Sequence, residues 1–152
     1  MTRLAARLLM SSAVLSAGAV GVLALAPTAA AGDGGRPLFA ALSGTAEVPG
    51  PGDPDGMGTA AVRVNVGQGT VCFDIAVDSI APATAAHIHR GSSSASGPVV
   101  LGLIAPTDGT SEGCLSVDRS FAKQLLQSPQ DYYVNVHNAE FPGGAVRGQL
   151  GS

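Results

Sequence analysis

The middle of the chain is written in a period of two. Val62, Val64 and Val66 alternate with Ala61, Arg63 and Asn65, and Val71, Phe73, Ile75 and Val77 alternate with Cys72, Asp74, Ala76 and Asp78. Alternation with β-branched residues predicts strands that bury one face. The Gly67-Gln68-Gly69 stretch between the two runs predicts a hairpin connection, because glycine accepts positive φ. Further strands are predicted at 38–46, 85–89, 98–104, 112–117, 132–138 and 144–150. Turn-rich gaps separate them at 49–58, 90–98, 105–113 and 140–144. One segment breaks the pattern. Asp118 is placed to cap a short helix through RSFAKQLLQS, with Phe121, Leu125 and Leu126 as its apolar face and Pro129 as its stop.

About eight short strands with turn signals roughly every ten residues and a single helical crossover predict an all-β domain. The expected architecture is a Greek-key sandwich, immunoglobulin-like or superoxide-dismutase-like. An α/β fold would need several helical patterns of about 10–15 residues between strands.

The N-terminus changes the picture of compartment. Arg3 and Arg7 precede an apolar run from Leu8 to Ala26, and Pro27 and small residues follow, with Ala29 and Ala31 in A-x-A positions. That order predicts a secretory signal over residues 1–31, with no membrane attachment after cleavage; the alternative is a retained anchor. No cysteine stands at the cleavage site to receive a lipid. Residues 32–37 form a Gly-rich leader expected to be flexible, and residues 38–152 form one domain. Without residues 1–31 the chain keeps 121 residues, all eleven carboxylates and six of its eight basic residues, for a formal charge of −5. A nucleic-acid partner would require a basic stripe, which this composition lacks. The domain is therefore expected to be extracellular, with a protein or surface component as its partner.

In an oxidising compartment the two cysteines, Cys72 and Cys114, are expected to pair. The three histidines carry the other candidate chemistry. In Ala85-Ala86-His87-Ile88-His89 the strand period puts His87 and His89 opposite Ile88; in YYVNVHN it puts Tyr133, Asn135 and His137 opposite Val134 and Val136. If the aliphatic residues face the core, all three imidazoles face away from it. An H-x-H pair with a third histidine on an adjoining strand can form a three-nitrogen zinc or copper site. Asp74, Asp78, Asn135 and Asn138 are candidates to hydrogen-bond the remaining ring nitrogens. Structural hydrogen bonding of the three rings, with no cofactor, is the favoured reading, and the metal site through His87, His89 and His137 is the alternative.

No catalytic residues are legible. Gly109 to Gly113 fits G-x-S-x-G, but it leads into a strand in a chain too short for an α/β-hydrolase. Asp53 and Asp55 in PGDPDGMG lack the ligand spacing of a calcium loop, so turn chemistry accounts for them. Arg90, Arg147, Tyr132 and Tyr133 are candidates for a recognition surface; both arginines could instead pair with Glu140 or Asp131.

In this order the segments LSGTAEVPGP (42–51), GTAAVRV (58–64), AAHIHRG (85–91), GPVVLGL (97–103), YYVNVHN (132–138) and FPGGAVRGQL (141–150) resemble the CHRD domain. That domain is named from chordin and is also found singly in exported bacterial proteins. The resemblance covers residues 38–150 and implies a β-rich extracellular, non-enzymatic binding or structural module. In chordin-like proteins the repeats accompany cysteine-rich modules that engage growth factors; those modules are absent here, so that partner does not carry over. The resemblance implies no role for His87, His89 or His137, and the two cysteines are not part of its motif.

Overall fold

The computed structural model describes residues 34–152; the segment carrying the expected signal lies outside the described residues. Eight strands form where the alternation predicts them: β1 (Arg36–Ser43), β2 (Met57–Asn65), β3 (Thr70–Asp78), β4 (Ala83–Arg90), β5 (Val99–Leu103), β6 (Thr110–Ser116), β7 (Tyr132–Asn138) and β8 (Val146–Gln149). Strand β1 starts earlier than expected. Arg36 and Pro37, assigned above to the flexible leader, pair with Val64 and Arg63 of β2, so the leader ends at Gly35. The 38–46 segment is strand only to Ser43 and then turns through a 3₁₀ segment, Gly44–Ala46. Helix α1 (Arg119–Gln127) begins at Asp118, whose carboxylate accepts from the Ser120 N–H at 2.7 Å. That bond satisfies one of the helix's free N–H groups, and hydrogen bonding from Ser120, its side chain first and then this N–H, holds the Asp118 carboxyl below its usual range.

The strands run antiparallel in one continuous sheet, in the order β5-β4-β7-β8-β1-β2-β3-β6. The two layers expected of a sandwich are thus joined through β1 and β8. One face of nearly every strand feeds a single core: Leu38, Ala40 and Leu42 from β1, Ala60, Val62 and Val64 from β2, Val71, Phe73 and Ile75 from β3, Ile88 from β4, and Val134 and Val136 from β7. Ala122 and Leu125 of α1 complete it. Burying one face of eight strands in one core requires the sheet to curl on itself, and its two edges approach each other. Ser111 of β6 donates its hydroxyl to the Ile104 carbonyl, just past β5, at 2.8 Å. Around that near-closed ring the order is β3-β6-β5-β4, a Greek key in which β6 returns past the β4–β5 hairpin to pair with β3. Gly69 takes φ 65° in the β2–β3 turn, as the Gly-Gln-Gly reading requires.

Two motifs resolve as expected. The G-x-S-x-G match lies at the start of β6, with Thr110 to Gly113 in the strand itself, and not at a strand-to-helix turn. Asp53 sits in a backbone turn, its N–H bonded to the Ala145 carbonyl and its carbonyl to the Gly56 N–H.

Strand β7 decides what the sheet can do. It lies between β4 and β8, and six of its seven residues are buried. Its inward side packs in the core, while its outward side is polar and covered by loops. The outward residues of β4, β7 and β8 therefore meet in a sheltered layer.

Candidate metal centre

Strands β4 and β7 pair with Ala85 opposite His137, His87 opposite Asn135, and His89 opposite Tyr133. Ile88 is fully buried in the core, so the pleat turns His87 and His89 to the other face. His137 projects from β7 on that same face, and the three rings converge. His87 and His137 have ring centroids 5.0 Å apart, His87 and His89 5.5 Å, and His89 and His137 6.1 Å. One potential ligand nitrogen from each ring lies within 4.8 Å of the other two. Among the described residues this is the one cluster of three or more histidine, cysteine or acidic side chains gathered tightly enough to hold an ion.

Hydrogen bonds set the protonation of two rings. Nδ1 of His89 lies 2.9 Å from the Gly97 carbonyl, and Nδ1 of His137 lies 3.1 Å from the Pro142 carbonyl. A carbonyl only accepts, so each Nδ1 carries the proton and, in the neutral ring, each Nε2 presents a bare lone pair. His87 Nδ1 is 3.1 Å from His137 Nε2 and donates to it. Two nitrogens that share a tetrahedral ion at about 2.0–2.1 Å stand about 3.3 Å apart, so this pair is already near ligand spacing. His89 Nε2 is buried and has no hydrogen-bond partner. Burial first, and then the neighbouring rings, hold His87 and His137 below the ordinary histidine range, which favours the neutral form that a metal ion needs.

The hydrogen-bond partners are not the side chains expected from sequence. Asp74 pairs with Arg63 across β2 and β3 at 2.7 Å. Asn138 acts at one remove: its Oδ1 accepts from the N–H groups of Glu140 and Phe141 and shapes the turn that presents the Pro142 carbonyl. Gly97 and Pro142, which position two of the rings, carry no side-chain signature. Gly97 has a steric reason to be glycine, since a Cβ there would collide with the Arg90 carbonyl. Its N–H donates to the Tyr133 hydroxyl at 3.1 Å, so one residue, through its N–H and its carbonyl, bridges Tyr133 and His89.

The CHRD domain family model matches residues 38–150. The chain belongs to the CHRD domain family. No curated protein and no solved structure matches it. Two segments of the CHRD resemblance, AAHIHRG and YYVNVHN, are the strands that supply the three rings, and a third, GPVVLGL, opens with Gly97.

The recognition surface expected of this CHRD domain is corrected by burial. Arg90 is exposed, but Tyr132, Tyr133 and Arg147 are 2%, 1% and 1% exposed. Tyr132 turns inward against Phe121, with centroids 6.0 Å apart, and its hydroxyl donates to Gln124 of α1. Tyr133, on the middle strand, stacks on His89 at 4.8 Å, and the Arg147 guanidinium lies 3.4 Å from its ring centroid. Arg147 does not pair with Glu140 or Asp131. Its Nη2 donates to the Ser92 and Ala95 carbonyls at 2.6 and 3.0 Å and clamps the 91–98 loop over the site. Gln149 adds a bond to the Gly91 carbonyl at 2.8 Å.

The Glu47-Val48-Pro49 step reads in the sequence as a strand end with its carboxylate outward, and the structure corrects that. Glu47 is buried against this layer, where Asn135 Nδ2 donates to its Oε2 at 3.4 Å. Burial pushes its carboxyl up to about 7, against the opposing pulls of the Arg147 charge and the Asn135 bond. Because the folded value lies above the unfolded one, Glu47 favours folding below about pH 4.5. That contribution is lost as pH rises toward 7. His87 and His137 act in the opposite sense, costing stability as pH falls below their ordinary value of 6.5. A Glu47→Gln protein keeps the histidine effect alone. In chemical denaturation it is expected to gain of order 1–2 kcal/mol over the parent between pH 5 and pH 7.5, after discounting for solvent screening. A parallel pH profile for the two proteins would show that Glu47 is not perturbed.

Proposed function

We propose that this chain is an exported CHRD domain that binds one copper or zinc ion through His87, His89 and His137. The observation that carries this reading is the convergence of three imidazoles, two of which have Nδ1–H held by backbone carbonyls, leaving the Nε2 lone pairs for a metal. An all-nitrogen set suits both metals. Export is supported by the N-terminal pattern of charge, apolar run and small residues, and by the Cys72–Cys114 disulfide, a bond characteristic of oxidising compartments. Among the described residues no helix is long and apolar enough to cross a membrane. In this reading the domain is an extracellular binding module, not an enzyme with acid–base residues of its own, and its ligand is a metal ion.

The test is elemental analysis of protein recovered from the medium of an expressing host supplied with copper or zinc. About one ion per chain is expected, and close to none in His89→Ala. Affinity should weaken as pH falls, because protons compete for the imidazoles, but below the range of ordinary histidines, since His87 and His137 resist protonation. Metal content near zero in the parent, or equal content in His89→Ala, would overturn the reading.

A further inference from the structure

The three-histidine cluster offers fewer donors than the ions that suit it require. Zinc is four-coordinate in proteins, and a site with three protein ligands keeps its fourth position for water or another small ligand. Among the described residues the cluster has three members, with no cysteine or carboxylate among them. The two rings nearest solvent, His87 and His137, are half-buried, while His89 is buried behind them. An ion held by the three nitrogens would thus be backed by protein on the His89 side and reachable from the His87 and His137 side.

Charge indicates what would fill that position. Three neutral imidazoles leave a divalent ion with its full charge, in partly desolvated surroundings where Coulomb interactions are stronger than in water. Glu47, the carboxylate buried in this layer, is engaged by Asn135 and lies outside the cluster. The histidines cannot supply the missing negative charge while two of them spend their second nitrogen on carbonyls.

We propose that the site is open, holding its ion with one coordination position toward solvent and taking a small monodentate anion there. This rests on the metal-binding reading above. The step is a ligand exchange in which bound water leaves and the anion takes its place, with no change in oxidation state.

The experiment loads the full chain with Cu(II), removes unbound copper by gel filtration, and titrates sodium azide while recording absorption and electron paramagnetic resonance. A new azide-to-copper charge-transfer band that saturates at one azide per copper, with a shifted copper resonance and copper still eluting with the protein, is the expected result. Metal-free protein should give no band. If copper binds one to one but azide leaves both spectra unchanged, or strips the copper away, the site is not open and the proposal falls while the metal-binding reading stands. If no copper remains with the protein, both fall together.

Discussion

An Arg147→Met protein is expected to be less stable than the parent by about 3–4 kcal/mol in urea unfolding, a large part of a small domain's usual margin. The guanidinium is fully buried, and three losses combine when it goes. Its bonds to the Ser92 and Ala95 carbonyls disappear, each a charge-assisted bond worth of order 1.5 kcal/mol or more. Its stacking over Tyr133 is replaced by an uncharged chain of similar length, with the loss of about 1 kcal/mol of cation–π attraction. Glu47 then keeps its burial without the positive charge that opposes it. The third loss can be isolated, because Glu47→Gln combined with Arg147→Met should cost less than the two separate changes summed. The same substitution should weaken metal binding, by about 10–100-fold, because the loop Arg147 clamps supplies the Gly97 carbonyl that orients His89. Arg147→Lys should recover little, since an ammonium cannot reproduce a planar fork over an aromatic ring. A stability loss below about 1 kcal/mol would mean that the loop needs no clamp.

Period-two reading reached far into this molecule because its strands bury one face so consistently. All eight strands and the helix fall where alternation and capping place them, and the inward turn of Ile88 was enough to send His87 and His89 to the other side. Adjacency of β4 and β7 was not legible, since 41 residues, with β5, β6 and α1 among them, separate Arg90 from Tyr132 in the chain. The burial of Tyr133, Asn135 and Arg147 was missed for a different reason. Polar residues alternating with aliphatic ones are read as facing water, but here the Gly- and Pro-rich loops fold back over that face and offer backbone carbonyls to Arg147, His89 and His137. Those carbonyls belong to Ser92, Ala95, Gly97 and Pro142, whose side chains carry no trace of the role. Glu47 escaped for the same reason: a carboxylate before Val48-Pro49 reads as the exposed end of a strand.

Removing the Cys72–Cys114 bridge should lower stability by about as much as the Arg147 change but leave the histidine site alone. Cys72 of β3 and Cys114 of β6 stand opposite each other in register and are bonded, with 42 residues of separation. The chain between them contains β4 and β5, so the bridge closes the Greek key at its base. In the chain-entropy account a loop of that length is worth about 4 kcal/mol through the freedom it removes from the unfolded state. For a domain of this size the double substitution Cys72→Ala, Cys114→Ala should lower Tm by about 12–20 °C. Thiol titration of denatured, unreduced parent should find no free sulfhydryl, and two titratable thiols would contradict the bridge. Because β3 and β6 pair with neither β4 nor β7, copper affinity of the folded bridge-free protein should stay within about twofold of the parent. A parallel loss of affinity and stability would mean that the ring of strands transmits strain from β3 and β6 to the three imidazoles, and that β4 and β7 do not hold the site unaided.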